Sequence, residues 1–170
     1  MKKLALIVGF IFQTILAHAQ ADEKIHWMTL NEAIDANSKN PKKIFIDVYT
    51  NWCGWCKRMD ATTFEDKGVI KYMNATFYPV KLDAETKDTI LYKNKAYTFV
   101  TEYKSNEIAA YFLNGQMSYP TSVYLDENLD LIGPMPGYLT KDQLLPVLKY
   151  FGNNTFKTKK WEDFLKENFK

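Results

Sequence analysis

The sequence predicts an α/β domain, and three of its features support this fold class. Apolar runs that predict strands alternate along the chain with segments that carry helix-capping signals. One run, residues 43–49, begins with a lysine and is otherwise apolar except for a single acid, which is typical of a strand buried on both faces in the middle of a sheet. The chain has 170 residues, of which 15% are Phe, Trp or Tyr, and this is enough to fill the core of one domain.

The first helix and the first strand follow from local patterns. Thr29 and Glu32 form a capping-box pattern, which predicts a helix over residues 30–38. The strand over residues 43–49 comes next, and Asp47 is its only acid. This acid is conspicuous because a carboxylate loses its hydration when it is buried in a sheet.

The middle of the chain is expected to hold two helices, a strand and a hairpin. One helix covers residues 53–64 and begins at the first cysteine, a short helix covers 67–74, and a strand covers 77–82. Apolar and aromatic residues lie on both sides of Asn94 within residues 89–100. This pattern predicts a small β-hairpin with Asn94 in its turn.

Turn and capping residues divide the last part of the chain in the same way. The predicted elements are a helix over 105–113 capped by Ser105, a strand over 121–125 opened by Pro120, a partner strand over 129–132, a helix from Thr140 to about residue 150 with a kink at Pro146, and an amphipathic helix over 161–169.

The N-terminal residues predict export. Two lysines follow the initial methionine, residues 4–17 are mostly apolar, and residues 17–19 (Ala-His-Ala) fit a small-x-small cleavage site. We therefore expect a signal peptide over residues 1–19 and a mature domain over residues 20–170, with an uncleaved anchor as the alternative. The apolar run is short and interrupted, so we expect no stable membrane insertion.

Charge and cysteine content limit the function classes. The two lysines of the leader account for the net charge of +2, so the rest of the chain is near neutral and nucleic acid is not an expected partner. Cys53 and Cys56 are the only cysteines. An exported protein with two cysteines has no disulfide scaffold, so we expect this pair to serve chemistry, without a cofactor.

The Cys-x-x-Cys spacing of Cys53 and Cys56, directly after an apolar strand, is a redox signature. Two cysteines so spaced can close a small disulfide ring. At the start of a helix, unpaired backbone N–H groups and the helix dipole favour the thiolate of the first one. Its pKa then falls from about 8.5 toward roughly 3.5–7.5, which makes it a nucleophile near neutral pH.

Other uses of the cysteine pair fit less well. A structural zinc site needs four ligands, and the chain offers only His18 and His26 besides the two cysteines, so we expect no metal. Covalent haem attachment requires a histidine after the second cysteine, where Lys57 stands. A purely structural disulfide stays open as an alternative, although so short a ring constrains the unfolded chain little.

Residues 43–150 resemble the thioredoxin family. The shared motifs are Asp47 six residues before Cys53, Trp-Cys-Gly-x-Cys-Lys at 52–57, Val-Lys-Leu-Asp at 80–83, Tyr119-Pro120-Thr121 at the opening of a strand, and Gly137 after the following strand. Residues 57–64 further resemble a subgroup of secreted proteins that includes the electron-receiving domains of bacterial disulfide reductases. Trp55 departs from the pattern because thioredoxin has proline there, so thioredoxin's reduction potential does not carry over.

The resemblance implies a thioredoxin-like α/β fold with a central mixed β-sheet flanked by helices. Compared with a minimal thioredoxin, the chain carries a hairpin and helix insertion at about residues 84–118, before an expected cis-proline. A C-terminal helical extension over residues 151–170 follows the core.

The resemblance also implies the roles of the reactive residues. Cys53 is the attacking thiolate, and Cys56 resolves the mixed disulfide. Burial is expected to raise the pKa of Asp47, which then moves protons for Cys56 while Lys81 on the neighbouring strand tunes it. The alternatives are that Asp47 is a structural ion-pair partner and that Lys81 is a solvated strand residue.

A second group of residues is expected to contact substrate or support the thiolate. The residues expected to bind substrate are Trp52, Gly54, Trp55, Tyr119, Pro120 and Gly137. An ordinary trans proline is the alternative for Pro120, and packing against the core is the alternative for Trp52. Lys57 and Arg58 lend electrostatic support to the thiolate or are simply solvated.

Together these features predict an exported thiol-disulfide oxidoreductase, periplasmic or secreted, that reduces disulfides of proteins. Its partners are protein thiols and disulfides and, because an exported compartment is oxidising, a membrane electron donor. The alternatives are a disulfide oxidase or isomerase, and a redox-inactive binding module with the same fold.

Overall fold

The computed structural model of the protein describes residues 24–168; the predicted signal peptide lies outside them. In chain order the elements are α1 (Leu30–Lys39), β1 (Lys43–Tyr49), α2 (Gly54–Ala61), a 3-10 turn (Thr63–Glu65), α3 (Lys67–Thr76), β2 (Phe77–Asp83), β3 (Ile90–Tyr92), β4 (Lys95–Tyr97), β5 (Phe99–Val100), β6 (Ser105–Asn106), α4 (Glu107–Phe112), β7 (Thr121–Leu125), β8 (Leu131–Pro136), α5 (Lys141–Gly152), a second 3-10 turn (Thr155–Lys157) and α6 (Trp161–Asn168).

A four-stranded mixed sheet forms the centre of the fold, in the order β2-β1-β7-β8. β1 pairs parallel with β2 and antiparallel with β7, and β8 pairs antiparallel with β7. The central position of β1 explains its mostly apolar sequence, because both of its faces are covered. The thioredoxin-like α/β fold predicted from the sequence is confirmed.

The side chains of β1 alternate between two cores, one on each face of the sheet. Ile44, Ile46 and Val48 face the core that includes α1 and α4. Phe45 faces the other core, which includes Met59 of α2 together with residues of α3 and α5. Asp47 lies two residues after Phe45 and therefore on the same face, which is the face that α2 covers.

Two predicted helix boundaries were wrong. The helix expected over 53–64 ends at Ala61 and is followed by a separate 3-10 turn. Helix α4 is capped by Asn106, whose side chain accepts from the Ile108 N–H, while the predicted cap Ser105 pairs with Val100 in the β5–β6 ribbon. Asn106 is held there because its backbone N–H donates to the Ala84 carbonyl at 2.7 Å.

The hairpin expected over 89–100 is divided into two ribbons. β3 and β4 pair around Asn94, whereas β5 pairs with β6. The partner strand expected at 129–132 instead runs over Leu131–Pro136. The turn before it is longer than predicted because the Asp126 carboxylate accepts from the backbone N–H groups of Asn128 and Asp130.

Candidate redox site

Cys53 and Cys56 form a disulfide at the N-terminus of α2. Cys53 is the N-cap of this helix, and its sulfur accepts a hydrogen bond from the Cys56 N–H at 3.1 Å. Both cysteines are buried, Cys53 with 5% and Cys56 with 1% of its surface exposed. The first sulfur therefore lies where the helix dipole and a backbone donor stabilise negative charge on it once the bond is reduced.

Asp47 lies buried beneath α2 and is paired with Lys81. Lys81 stands opposite Asp47 on β2, and its Nζ lies 2.7 Å from Asp47 Oδ2. Burial raises the pKa of Asp47 to about 6, and the attraction of Lys81 only partly offsets this effect. The other oxygen, Oδ1, has no hydrogen-bond partner in the described part of the chain.

Lys81 is shared between two carboxylates. Its Nζ also bonds to Asp60 Oδ1 on α2, and Asp60 is partly exposed. Burial lowers the pKa of Lys81, but its two carboxylate partners outweigh this effect, and the net shift is upward. Lys81 is thus a cation that bridges the buried Asp47 and the partly exposed Asp60. It is therefore not a freely solvated strand residue.

Aromatic rings complete the surroundings of this ammonium group. Its Nζ lies 4.9 Å from the ring centroid of Tyr49, 5.1 Å from that of Trp27 and 5.3 Å from that of Phe64. These rings and Asp60 were not among the residues predicted from the sequence. A signal for Asp60 was present, because it lies four residues after Cys56 and so on the same face of α2.

The loop before β7 meets the loop after β8. The Tyr119–Pro120 peptide bond is cis, so the trans alternative is wrong. Gly137 donates its N–H to the Pro120 carbonyl at 2.8 Å, which joins the two loops. Gly137 has a φ of +101°, a conformation that favours glycine.

Two exposed tryptophans connect the motif to these loops. Trp52 is 67% exposed, contacts the Tyr119 ring at 5.8 Å between centroids and donates its indole N–H to Glu85 at 3.0 Å. The alternative of core packing for Trp52 is therefore wrong. Trp55 is 60% exposed and contacts the Tyr138 ring at 5.4 Å. Glu85 and Tyr138 carried no sequence signal.

The remaining predicted residues lie on the exposed side of α2. Gly54, Lys57 and Arg58 are all exposed. A Cβ at Gly54 would meet nothing within 4 Å, so packing alone does not require glycine there. Within residues 24–168 there is no cluster of three or more His, Cys, Asp or Glu side chains that could hold a metal ion.

Comparisons with known proteins identify the family of the chain. The sequence profile of the family described as Thioredox_DsbH, protein of unknown function, DUF255, matches residues 13–143. An uncharacterized protein of Caenorhabditis elegans is 28% identical over 116 residues, which are 68% of this chain and 14% of the worm protein. The chain thus spans a small part of this curated relative.

Two solved structures share the fold. A structure titled DsbH Oxidoreductase is 16% identical, with a TM-score of 0.57 over 82% of this chain and 89% of that one. A thioredoxin-fold protein from Helicobacter pylori is 22% identical, with a TM-score of 0.59 over 88% of this chain and 89% of that one.

No helix in the described range is long and apolar enough to cross a membrane.

Proposed function

The chain belongs to the Thioredox_DsbH (DUF255) family of thioredoxin-like proteins, and from this premise we propose that it is an exported thiol-disulfide oxidoreductase that reduces disulfides of proteins. The observation that carries the proposal is the Cys53–Cys56 disulfide at the start of α2, in a chain without other cysteines. Such a pair can alternate between dithiol and disulfide forms by thiol–disulfide exchange.

The proposed reaction has two exchange steps. In the reduced protein the Cys53 thiolate attacks one sulfur of a substrate disulfide, forms a mixed disulfide, and expels the other substrate sulfur as a thiolate that takes up a proton. The Cys56 thiolate then attacks the Cys53 sulfur and expels the second substrate thiolate. The substrate gains two electrons and two protons, and the protein is left with the Cys53–Cys56 disulfide.

Asp47 is proposed to handle the proton of Cys56. It lies on the face of the sheet that α2 covers, and its pKa of about 6 makes it an effective base just above that pH. The ion pair with Lys81 favours the ionised form of Asp47 despite its burial, and the ionised form is the one that can accept a proton. The dipole of α2, with Lys57 and Arg58 on its first turns, is proposed to favour the Cys53 thiolate.

Substrate is proposed to bind against the residues around Cys53. We expect an extended substrate segment to lie along Pro120 and Gly137, whose N–H···O=C bond joins the two loops, with Tyr119 and the two tryptophans as an apolar rim. A polypeptide that crosses Cys53 would contact both loops, because the Gly137 N–H bond to Pro120 holds them together.

The proposal also includes export of the chain and reduction of its oxidised form by a partner. Residues 1–19 are proposed to direct the chain to the periplasm or the exterior, on the strength of their basic, apolar and small-x-small pattern. The oxidised pair must then receive two electrons from a partner, and a membrane electron donor is proposed because such compartments are oxidising.

The reduction potential tests the direction of the reaction. We expect equilibration with glutathione buffers to give a potential nearer to about −270 mV, as in thioredoxin, than to about −120 mV, as in a strong oxidant. Alkylation after mild reduction should label Cys53 before Cys56. A potential at the oxidising end would show an oxidase, and an unreactive Cys53 would show a binding module.

A further inference from the structure

One carboxylate oxygen of Asp47 is left without a partner by the ion pair with Lys81. Lys81 binds Oδ2, whereas Oδ1 is buried and accepts no hydrogen bond from the described residues. A buried carboxylate oxygen without a donor is costly, because it has lost its hydration without a replacement. Such atoms are rare in folded proteins, and they indicate a partner other than the chain itself.

Two hydroxyls on the same face of the sheet share this property. Ser122 of β7 stands directly opposite Asp47 in the antiparallel register, and Tyr124 lies two residues further along β7. Opposite residues of an antiparallel pair, and residues two apart on one strand, project from the same face. Both side chains are fully buried, and neither hydroxyl has a hydrogen-bond partner in the described part of the chain.

The three groups are close enough to influence one another. Burial raises the pKa of Tyr124, the Ser122 hydroxyl lowers it, and the negative charge of Asp47 raises it further. The two hydroxyls nevertheless do not meet in a hydrogen bond of normal length and geometry. Polar groups that lie near each other without bonding directly are commonly bridged by a water molecule.

The hydrogen-bonding capacity of these groups matches that of one water molecule. An internal water typically makes about three hydrogen bonds to buried polar groups that otherwise lack partners, and three such oxygens lie together here. The two hydroxyls can each donate or accept, whereas an ionised carboxylate only accepts. A water molecule can therefore donate to Asp47 Oδ1 and bond to both hydroxyls at the same time.

We propose that Ser122 and Tyr124 are positioning residues that hold an internal water molecule against Asp47 Oδ1. With Lys81 on Oδ2, this water holds the carboxylate from both sides and stabilises its ionised form. The water site is a property of the folded chain. Its consequence for disulfide exchange rests on the proposed function, in which Asp47 is the base for Cys56.

Other titratable groups face Asp47 and have to be separated from this effect. Its charge interacts with Lys81 of β2, Asp60 of α2 and Tyr49 of β1, and the cysteines of α2 add to these in the reduced protein. In the oxidised protein the disulfide removes the cysteines from the titration. The other three groups are the same in every variant described below, so a difference between variants reports the two hydroxyls.

The test follows the Asp47 carboxyl group directly, by carbon-13 NMR during a pH titration of the oxidised protein. We expect the wild-type carboxyl to titrate with a pKa of about 6. Ser122→Ala weakens the hydrogen bonding of the ionised form and should raise the midpoint by about one pH unit, and Tyr124→Phe should move it in the same direction. Ser122→Thr keeps a hydroxyl and should retain the wild-type midpoint.

Tyr92→Phe is the matched control, because it removes a buried tyrosine hydroxyl that donates to the Leu129 carbonyl in the core on the other face of the sheet. It should lower the free energy of unfolding without moving the Asp47 midpoint. If Ser122→Ala and Tyr124→Phe move the midpoint no more than this control does, the inference is wrong and the two hydroxyls are only structural.

Two further measurements separate the water site from its consequence for exchange. A crystal structure of the oxidised protein should show one water within hydrogen-bonding distance of all three oxygens, and hydroxyls bonded directly to Asp47 or to backbone carbonyls would overturn the site. The pH dependence of 2-hydroxyethyl disulfide reduction should shift together with the Asp47 midpoint. A midpoint that moves while this pH dependence stays unchanged would support the water site and contradict the proposed role of Asp47.

Discussion

Replacing Asp47 by Asn is expected to change how the stability of the oxidised protein depends on pH. The pKa of Asp47 is raised from 3.8 to about 6 because the carboxylate is buried, so the folded state favours the protonated acid. In the wild type the contribution of this group to stability is greatest below pH 3.8, falls as the pH rises to about 6, and is constant above that. A shift of about two pKa units corresponds to about 3 kcal/mol.

The Asp47→Asn protein has no such ionisation. Its free energy of unfolding, relative to that of the wild type, should therefore rise by about 3 kcal/mol between pH 3.5 and pH 7. Lys81 keeps Asp60 as a partner in the variant, which limits the loss from breaking the ion pair. Asn is preferred to Ala here because it preserves the volume of the buried side chain.

Urea denaturation of both oxidised proteins over this pH range measures the difference, and the disulfide removes the cysteines from the titration. Asp35→Asn, which removes an exposed carboxylate from α1, controls for the loss of one negative charge. A difference that stays flat, or that falls as the pH rises, would refute the reasoning. A flat difference would show that the ion pair with Lys81 cancels the effect of burial, and a falling difference would show that the ion pair outweighs it.

Three further expectations concern the motif, a loop and the leader. Cys53→Ser should abolish exchange whereas Cys56→Ser should accumulate mixed disulfides, which gel analysis under non-reducing conditions would reveal; trapping by the Cys53 variant instead would reverse the assigned roles. Gly137→Ala should lower the free energy of unfolding by about 1 kcal/mol in urea melts because its φ is +101°, whereas Gly54→Ala should have no comparable effect. Mass spectrometry of exported protein should find Gln20, or a residue close to it, at the N-terminus, and an intact leader would contradict cleavage.

Much of the fold was predictable because its signals are local. The capping box of Thr29 and Glu32 starts α1 as expected, since both partners lie within one turn of the chain. The mostly apolar sequence of β1 predicted its central place in the sheet, because a strand covered on both faces exposes few side chains to water. The boundaries around Ser105 and Leu129 could not be read in this way. The boundary near Ser105 is set by the hydrogen bond of the Asn106 N–H to the distant Ala84 carbonyl. The boundary near Leu129 is set by the length of the turn that the Asp126 carboxylate holds.

Residue type and spacing along the chain indicated two features of the site, a Cys-x-x-Cys pair at a helix start and a lone acid in a buried strand. Tertiary packing then set the surroundings of these residues. It brought Asp60 to Lys81, Glu85 to the Trp52 indole and Tyr138 to Trp55, from separate elements of the chain. A pKa or a ring contact depends on the distances between side chains. Packing sets these distances between segments that are far apart in sequence, and the local sequence of one segment does not reveal which other segment it will contact.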